Sequence, residues 1–322
     1  MSLYPTSGAT IRADINAVVE EASGADEFFI GARCMPPFPV DEKSGTYPKL
    51  QIAGAELMSA GSTVRTPTGS YGEVTRSWTS DTYDCVDRGL EEAIDDTTQK
   101  DVARFFNAEA SSAKWVLRNI KLDHELRAAT ALVNATTFGA GTNSAVAYTE
   151  ANIATISFIA DVLAAIERCR DNGCNPNTIV VSSPVYNRVR RGTLVQSFVA
   201  GQVGKGSIVT ASSMAQALAD EGITQCLVGK ARYNSAKKGQ AKSITNIWGN
   251  TYVWVGKVTS GASSMTDGGA GFTLVWNKEG GIWVTETYRD DKRRSNMVRV
   301  RQNTTEKIVD ATAGTLITTQ YS

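Results

Sequence analysis

The chain has 322 residues, 42% of them hydrophobic and 20% charged, enough to bury one large core or two smaller ones. Lys plus Arg and Asp plus Glu balance at 33 each. That excludes the basic excess of a dedicated nucleic-acid binder and suits a protein packed against copies of itself, because bulk like-charge repulsion is absent.

No run approaches the roughly 18 apolar residues needed to cross a bilayer. Residues 1–22 carry Glu20 and Glu21 and no apolar signal core, so a soluble protein made in a cytoplasm, with no membrane partner, is expected. Residues 10–22 place Ile11, Ile15, Val18 and Val19 at helical spacing, which predicts a short amphipathic helix. Half of the eight prolines (Pro36, Pro37, Pro39 and Pro48) then fall within one short stretch. They lack backbone donors and fix φ, so this segment reads as an extended arm. Residues 47–56 and 72–86 read as two strands around a Gly/Ser/Thr-rich tip. Val74, Arg76 and Trp78 share one face of the second strand, too polar a pair to close its own core.

The strongest local signal follows. Thr98 and Asp101 have capping-box spacing. Val102, Phe105, Phe106, Ala113, Val116, Leu117, Ile120, His124, Ala128, Ala131 and Leu132 then recur mostly at three- and four-residue steps. This predicts one helix of about 35 residues over about 98–134, roughly 50 Å long. Its core side would be Phe105, Phe106, Val116 and Ile120. A second helix is predicted over 150–171, ended by Gly173 and Pro176. Thr178–Ser182 reads as a buried strand, and Pro184 opens a short helix. Residues 212–221 give another short helix and 225–228 another strand. Residues 242–258 read as a strand pair turning at Gly249-Asn250, 259–271 as a flexible loop, and 272–288 as a hairpin turning at 279–281. The last strands are expected at 297–302 and 315–319.

Chemistry is sparse. His124 is the one histidine, placed in the middle of the long helix, where a packed or interface role is expected. A Ser-His-Asp or Cys-His arrangement would have to use it, and metal sites needing two histidines are excluded by count. Residues 201–207 superficially resemble a phosphate loop, but Val199 and Gly206 occupy the first-Gly and final Ser/Thr positions of that motif. Cys34, Cys85, Cys169, Cys174 and Cys226 are odd in number and scattered, as expected of free thiols in a reducing compartment. No catalytic residue, metal site or cofactor is expected.

One electrostatic contrast remains. Asp81, Asp84, Asp87, Glu91, Glu92, Asp95, Asp96 and Asp101 face only Arg88 and Lys100 between 79 and 101. Arg289, Lys292, Arg293, Arg294, Arg299 and Arg301 face only Asp290 and Asp291 between 288 and 301. Either these are two solvated faces, or they are complementary contacts between subunits. In the second case Asp81, Asp84, Asp87, Glu91, Glu92, Arg289, Arg293, Arg294 and Arg299 are the candidate residues.

The order of these pieces resembles the major capsid proteins of tailed bacteriophages, which share the Hong Kong 97 capsid fold. The residues that carry the resemblance are FIGARCMPPFPVDEKSGTYPKL (29–50), NPNTIVVSSPVYNRV (175–189), VGKARYNSAKKGQAKSITNIWGNTYVWVGKV (228–258) and TAGTLITT (312–319). The resemblance implies an α+β fold with an N-arm at 1–46 and an E-loop at 47–90. A P-domain would occupy 91–175, with the spine helix, and continue at about 269–304. The A-domain would occupy 176–268, with 305–322 returning to the A/P region. It further implies a non-enzymatic subunit forming pentamers and hexamers in an icosahedral shell around double-stranded DNA, bound without sequence preference. Partners would be the chain itself, a separate scaffolding protein, a portal and decoration proteins. Its place would be the virion, assembled in the host bacterial cytoplasm. An encapsulin-like nanocompartment shell is the alternative with the same fold. Covalent crosslinking through an E-loop lysine is not expected, because Lys49 is the one lysine from 47 to 90.

Overall fold

A computed structural model describes residues 10–11, 15, 28–49, 64–65, 67–71, 79–102, 107–139, 141–203, 209–237, 239–265, 268–279 and 282–322. In chain order the strands are β1 (Thr10–Ile11), β2 (Pro37–Val40), β3 (Ser44–Lys49), β4 (Thr79–Asp84), β5 (Val86–Asp95), β6 (Thr142–Asn143), β7 (Thr178–Ser182) and β8 (Gln225–Gly229). They continue with β9 (Arg232–Asn234), β10 (Ile244–Asn246), β11 (Tyr252–Gly256), β12 (Gly271–Trp276), β13 (Val284–Asp290), β14 (Ser295–Ile308) and β15 (Gly314–Thr318).

Among the described residues these strands form two larger sheets and two strand pairs. The first sheet has the order β6-β15-β11-β7-β8. Its middle is apolar on both faces because both are covered. All five residues of β7 are buried. Ile179 and Val181 join the core under the helix Phe158–Asp171. Val180, on the opposite face, joins Trp254 and the C-terminal half of the long helix.

The second sheet has the order β1-β13-β14-β12-β2, with β5 also on β14. β14 is the organiser. It pairs with β13 along 295–301 and with β5 along 295–304, so those two flank it, and β12 takes 304–308. Val298 and Val300 point from β14 into a core with Ala113, Val116, Leu117 and Ile120 of the long helix. Val116 and Ile120 are thus buried as the apolar stripe demands, whereas Phe105 and Phe106 lie outside the described residues.

The long helix is shorter than its apolar stripe. It runs Ala108–Leu132, about 37 Å at 1.5 Å per residue. Asn107, in an extended conformation, accepts the amides of Glu109 (3.0 Å) and Ala110 (3.2 Å) and so starts a new helix there. A separate helix, Asp96–Val102, precedes it. Its first amides are served by Asp95, which accepts Thr97 N at 2.9 Å, and not by a Thr98 box.

Other local expectations also change. At the start of the helix expected over 10–22, Thr10 and Ile11 instead pair with Thr287 and Glu286 as a strand, since β-branched residues suit a sheet edge; Ile15 is helical and buried, and 12–14 and 16–22 lie outside the described residues. The expected hairpin at 272–288 does not form: β12 and β13 both pair with β14, on successive stretches of it. The pair expected at 242–258 is also split. β10, half-polar and largely exposed, pairs with β9, while the buried run of β11 sits between β15 and β7. In the second helix region a 3-10 turn over Glu150–Thr155 precedes the helix proper. The helix Thr193–Val203 includes the first part of the phosphate-loop-like segment; 204–208 lie outside the described residues. β3 and β4 form a two-stranded pair, and Val74, Arg76 and Trp78 of the expected E-loop hairpin lie outside the described residues.

Candidate assembly surface

Glu125 ties three parts of the chain together. It is fully buried on the long helix. It accepts the backbone amides of Ile30 (3.1 Å) and Gly31 (2.6 Å), at the start of the short helix Gly31–Cys34, and the indole Nε1 of Trp248 (2.5 Å). Burial pushes its carboxyl above the ordinary value, and these three donors pull against that rise. Close approach is built in on both sides. A Cβ on Gly31 would stand 2.7 Å from the Glu125 carboxylate, and one on Gly229 would overlap the Trp248 ring.

One helical step away, His124 Nε2 lies 3.0 Å from Thr273 Oγ1, which donates to the Met35 carbonyl at 3.0 Å. The threonine proton is thereby committed, so the neutral imidazole donates from Nε2. Burial first, then Arg127, holds the imidazole below its ordinary pKa, against the opposing pull of Glu306 and Asp123. Arg127 forks Glu306 at 2.8 and 3.1 Å and also pairs with Asp123. His124 also lines a cavity of about 190 Å³ between helix, arm and second sheet. Apolar Met35, Val275 and Trp283 line it together with Lys121, Glu125, Thr273 and Gln302, and the one described hydroxyl bonded to His124, that of Thr273, gives its proton to the Met35 carbonyl. Among the described residues no group of three or more His, Cys, Asp or Glu side chains could hold a metal ion. No described helix is long and apolar enough to cross a membrane. All five cysteines are free and buried. Burial pushes the thiols of Cys169 and Cys226 up to about 12 and that of Cys174 to about 11, so they stay protonated near neutral pH.

The two charged stretches meet within one chain. β5 lies beside β14, with Glu91 opposite Arg299 and Asp87 opposite Asn303. Glu91 accepts Tyr288 OH at 2.8 Å, and Glu92 accepts Ser112 Oγ at 2.6 Å. Arg289 forks Asp96, and Arg299 joins Arg301 on Glu286 at 2.6–3.1 Å. Burial raises the Glu286 carboxyl, yet the bonds from the two guanidinium groups outweigh it and leave the group below its ordinary value. Asp81 accepts Tyr47 OH and Thr82 N. Asp84 and Asp87 are exposed. Arg293 makes a loose pair with Asp290 at 3.6 Å, and Arg294 occupies the turn before β14 with φ of 50°.

Neither Glu125 nor Trp115 stood out in the sequence. Glu125 occupies a stripe position, eight residues after Leu117 and four before Ala129, and an acid inside an apolar stripe was the available signal. Trp115 lies beside the stripe and is 59% exposed.

No protein-family model matches the sequence, and no curated protein matches it. Solved structures do. A phage-related protein from Bordetella bronchiseptica superposes with a TM-score of 0.72 at 21% identity, covering 98% of each chain. A putative capsid protein of a prophage of E. coli CFT073 gives 0.57 at 11% identity, over 96% of this chain and 99% of that one. The capsid of cyanophage P-SCSP1u gives 0.56 at 11% identity, over 90% and 86%. The chain therefore has the fold of tailed-phage major capsid proteins, the Hong Kong 97 type, along nearly its whole length.

Proposed function

We propose that this chain is the major capsid protein of a tailed phage or prophage, a non-enzymatic subunit of a closed shell. The observation that carries the reading is similarity to capsid folds over most of the chain. In this reading the subunits form pentamers and hexamers enclosing double-stranded DNA, with scaffolding, portal and decoration proteins as separate chains. Residues 1–46 are the N-arm, 47–90 the E-loop, 91–175 and about 269–304 the P-domain, and 176–268 the A-domain, to which 305–322 return.

Two features support a shared rather than a self-sufficient core. β3 and β4 form a two-stranded pair that buries Tyr47 and Tyr83 against β2 and β12 but leaves four of the six β4 residues exposed, and a pair with so little packing of its own is marginal in water. β5 is exposed along most of its ten residues and carries the bare apolar side chains Val86 and Leu90. Contacts of Asp81, Asp84, Asp87, Arg293 and Arg294 with neighbouring subunits belong to this proposal. For Glu91, Glu92, Arg289 and Arg299 an inter-subunit role comes on top of the partners they hold in their own chain. Negative-stain microscopy of the purified protein tests the reading: closed particles or capsomers are expected. A protein that stays monomeric at high concentration, with 79–95 protected from hydrogen exchange, overturns it.

A further inference from the structure

The outer stripe of the long helix is divided by charge, and Trp115 stands at the division. Ala108, Ser111, Trp115, Arg118 and Leu122 follow at three- and four-residue steps, so they form one line about 21 Å long. The N-terminal half of this line borders a depression of about 450 Å³ that contains Glu92 and Asp95. The C-terminal half borders one of about 460 Å³ that contains Lys230, Arg232 and Phe28. Trp115 lines both. It is 59% exposed and Phe28 57%, an unusual degree for side chains of that size.

Among the described residues Arg118, Lys230 and Arg232 make no ion pair, and neither Glu92 nor Asp95 meets a cation; their bonds go to Ser112 and to the Thr97 amide. The face therefore runs from acidic to basic through an exposed tryptophan. A face with that pattern is complementary to itself under a two-fold rotation. Turning a second copy about an axis at Trp115 lays the helices antiparallel and sets the acidic depression of each opposite the basic depression of the other.

We propose that this face is a two-fold contact between two copies of the chain, centred on Trp115, with Glu92 and Asp95 of each copy against Arg118 and Arg232 of the other. It rests on the shell reading for its purpose but not for its geometry. An isologous contact repeats every favourable pair twice, and tryptophan and arginine are among the residues most enriched at interface hot spots.

A residue on a two-fold axis meets its own copy, so the test is a Trp115→Cys variant of the full chain, oxidised mildly and run without reductant. The native thiols are buried and stay out of the reaction. Most of the protein should run as a disulfide-linked dimer, whereas Leu194→Cys, exposed to a similar degree on another helix, should stay monomeric. In the Trp115→Cys background, Arg118→Glu with Arg232→Glu should reduce the dimer at least tenfold, and adding Glu92→Arg should restore part of it. Dimer no more abundant than with Leu194→Cys, in protein that still forms particles, overturns the two-fold and leaves the shell reading standing. Abundant Trp115→Cys dimer in protein that never forms particles supports the two-fold and sinks the shell reading.

Discussion

Replacing Glu125 with alanine leaves three buried donors with nothing to bond: Ile30 N, Gly31 N and Trp248 Nε1. Each unsatisfied buried donor costs about 1–3 kcal/mol. The deleted carboxylate relieves its own desolvation, which offsets part of that loss, because among the described residues no cation pairs with it. The vacated space adds a cavity cost in the other direction. The net expected loss is about 3 kcal/mol, a large share of the roughly 5–15 kcal/mol that holds a typical domain folded. The damage should also be distributed, since the three donors belong to the arm's first helix and to the turn that carries Trp248. The assay is guanidinium unfolding of the unassembled subunit at neutral pH, read by tryptophan fluorescence and by circular dichroism. The expected result is a lower midpoint and earlier loss of the fluorescence signal, because Trp248 loses its partner. A loss under about 1 kcal/mol by linear extrapolation would refute the view that Glu125 holds arm, helix and first sheet together.

Three further outcomes follow from the packing. Ile120→Asp should prevent recovery of folded subunit, because it removes a fully packed side chain worth about 2–5 kcal/mol and puts an unpaired charge between the helix and Val298 and Val300; expression and gel filtration decide it, and normal assembly would mean the stripe faces elsewhere. Gly229→Ala should cost about 1–3 kcal/mol by overpacking Trp248, and its effect should be less than additive with Glu125→Ala, since both act on the same indole. For His124 the folded pKa is depressed below 6.5, so the unfolded chain takes up a proton first as pH falls. The stability held by the neutral imidazole is present above 6.5 and is lost as pH falls through the folded value; His124→Gln should flatten that part of the stability–pH curve, and an unchanged curve would refute the assignment.

Much of this protein was legible in its sequence because the signals were local. The apolar period of 108–132, the continuous run TIVVS, Pro184 at a helix start and the odd, scattered cysteines each depend on a few neighbouring residues. The structure places the last three as read, whereas the helix expected over about 98–134 runs only Ala108–Leu132. The capsid fold was legible too, though only from the order of such pieces along the chain. What tertiary structure decided is pairing over distance. The hairpins expected at 242–258 and 272–288 are split because a strand's edges can pair with any strand that the packing of its faces brings alongside, and β11 and β12 found β15, β7 and β14 instead of their sequence neighbours. The acidic and basic stretches were visible as charge, but only the register of β5 on β14 showed them side by side in one chain. Glu125 is the plainest case: its three donors lie 94, 95 and 123 residues away. A carboxylate inside an apolar stripe cannot announce its partners until the chain has folded around it.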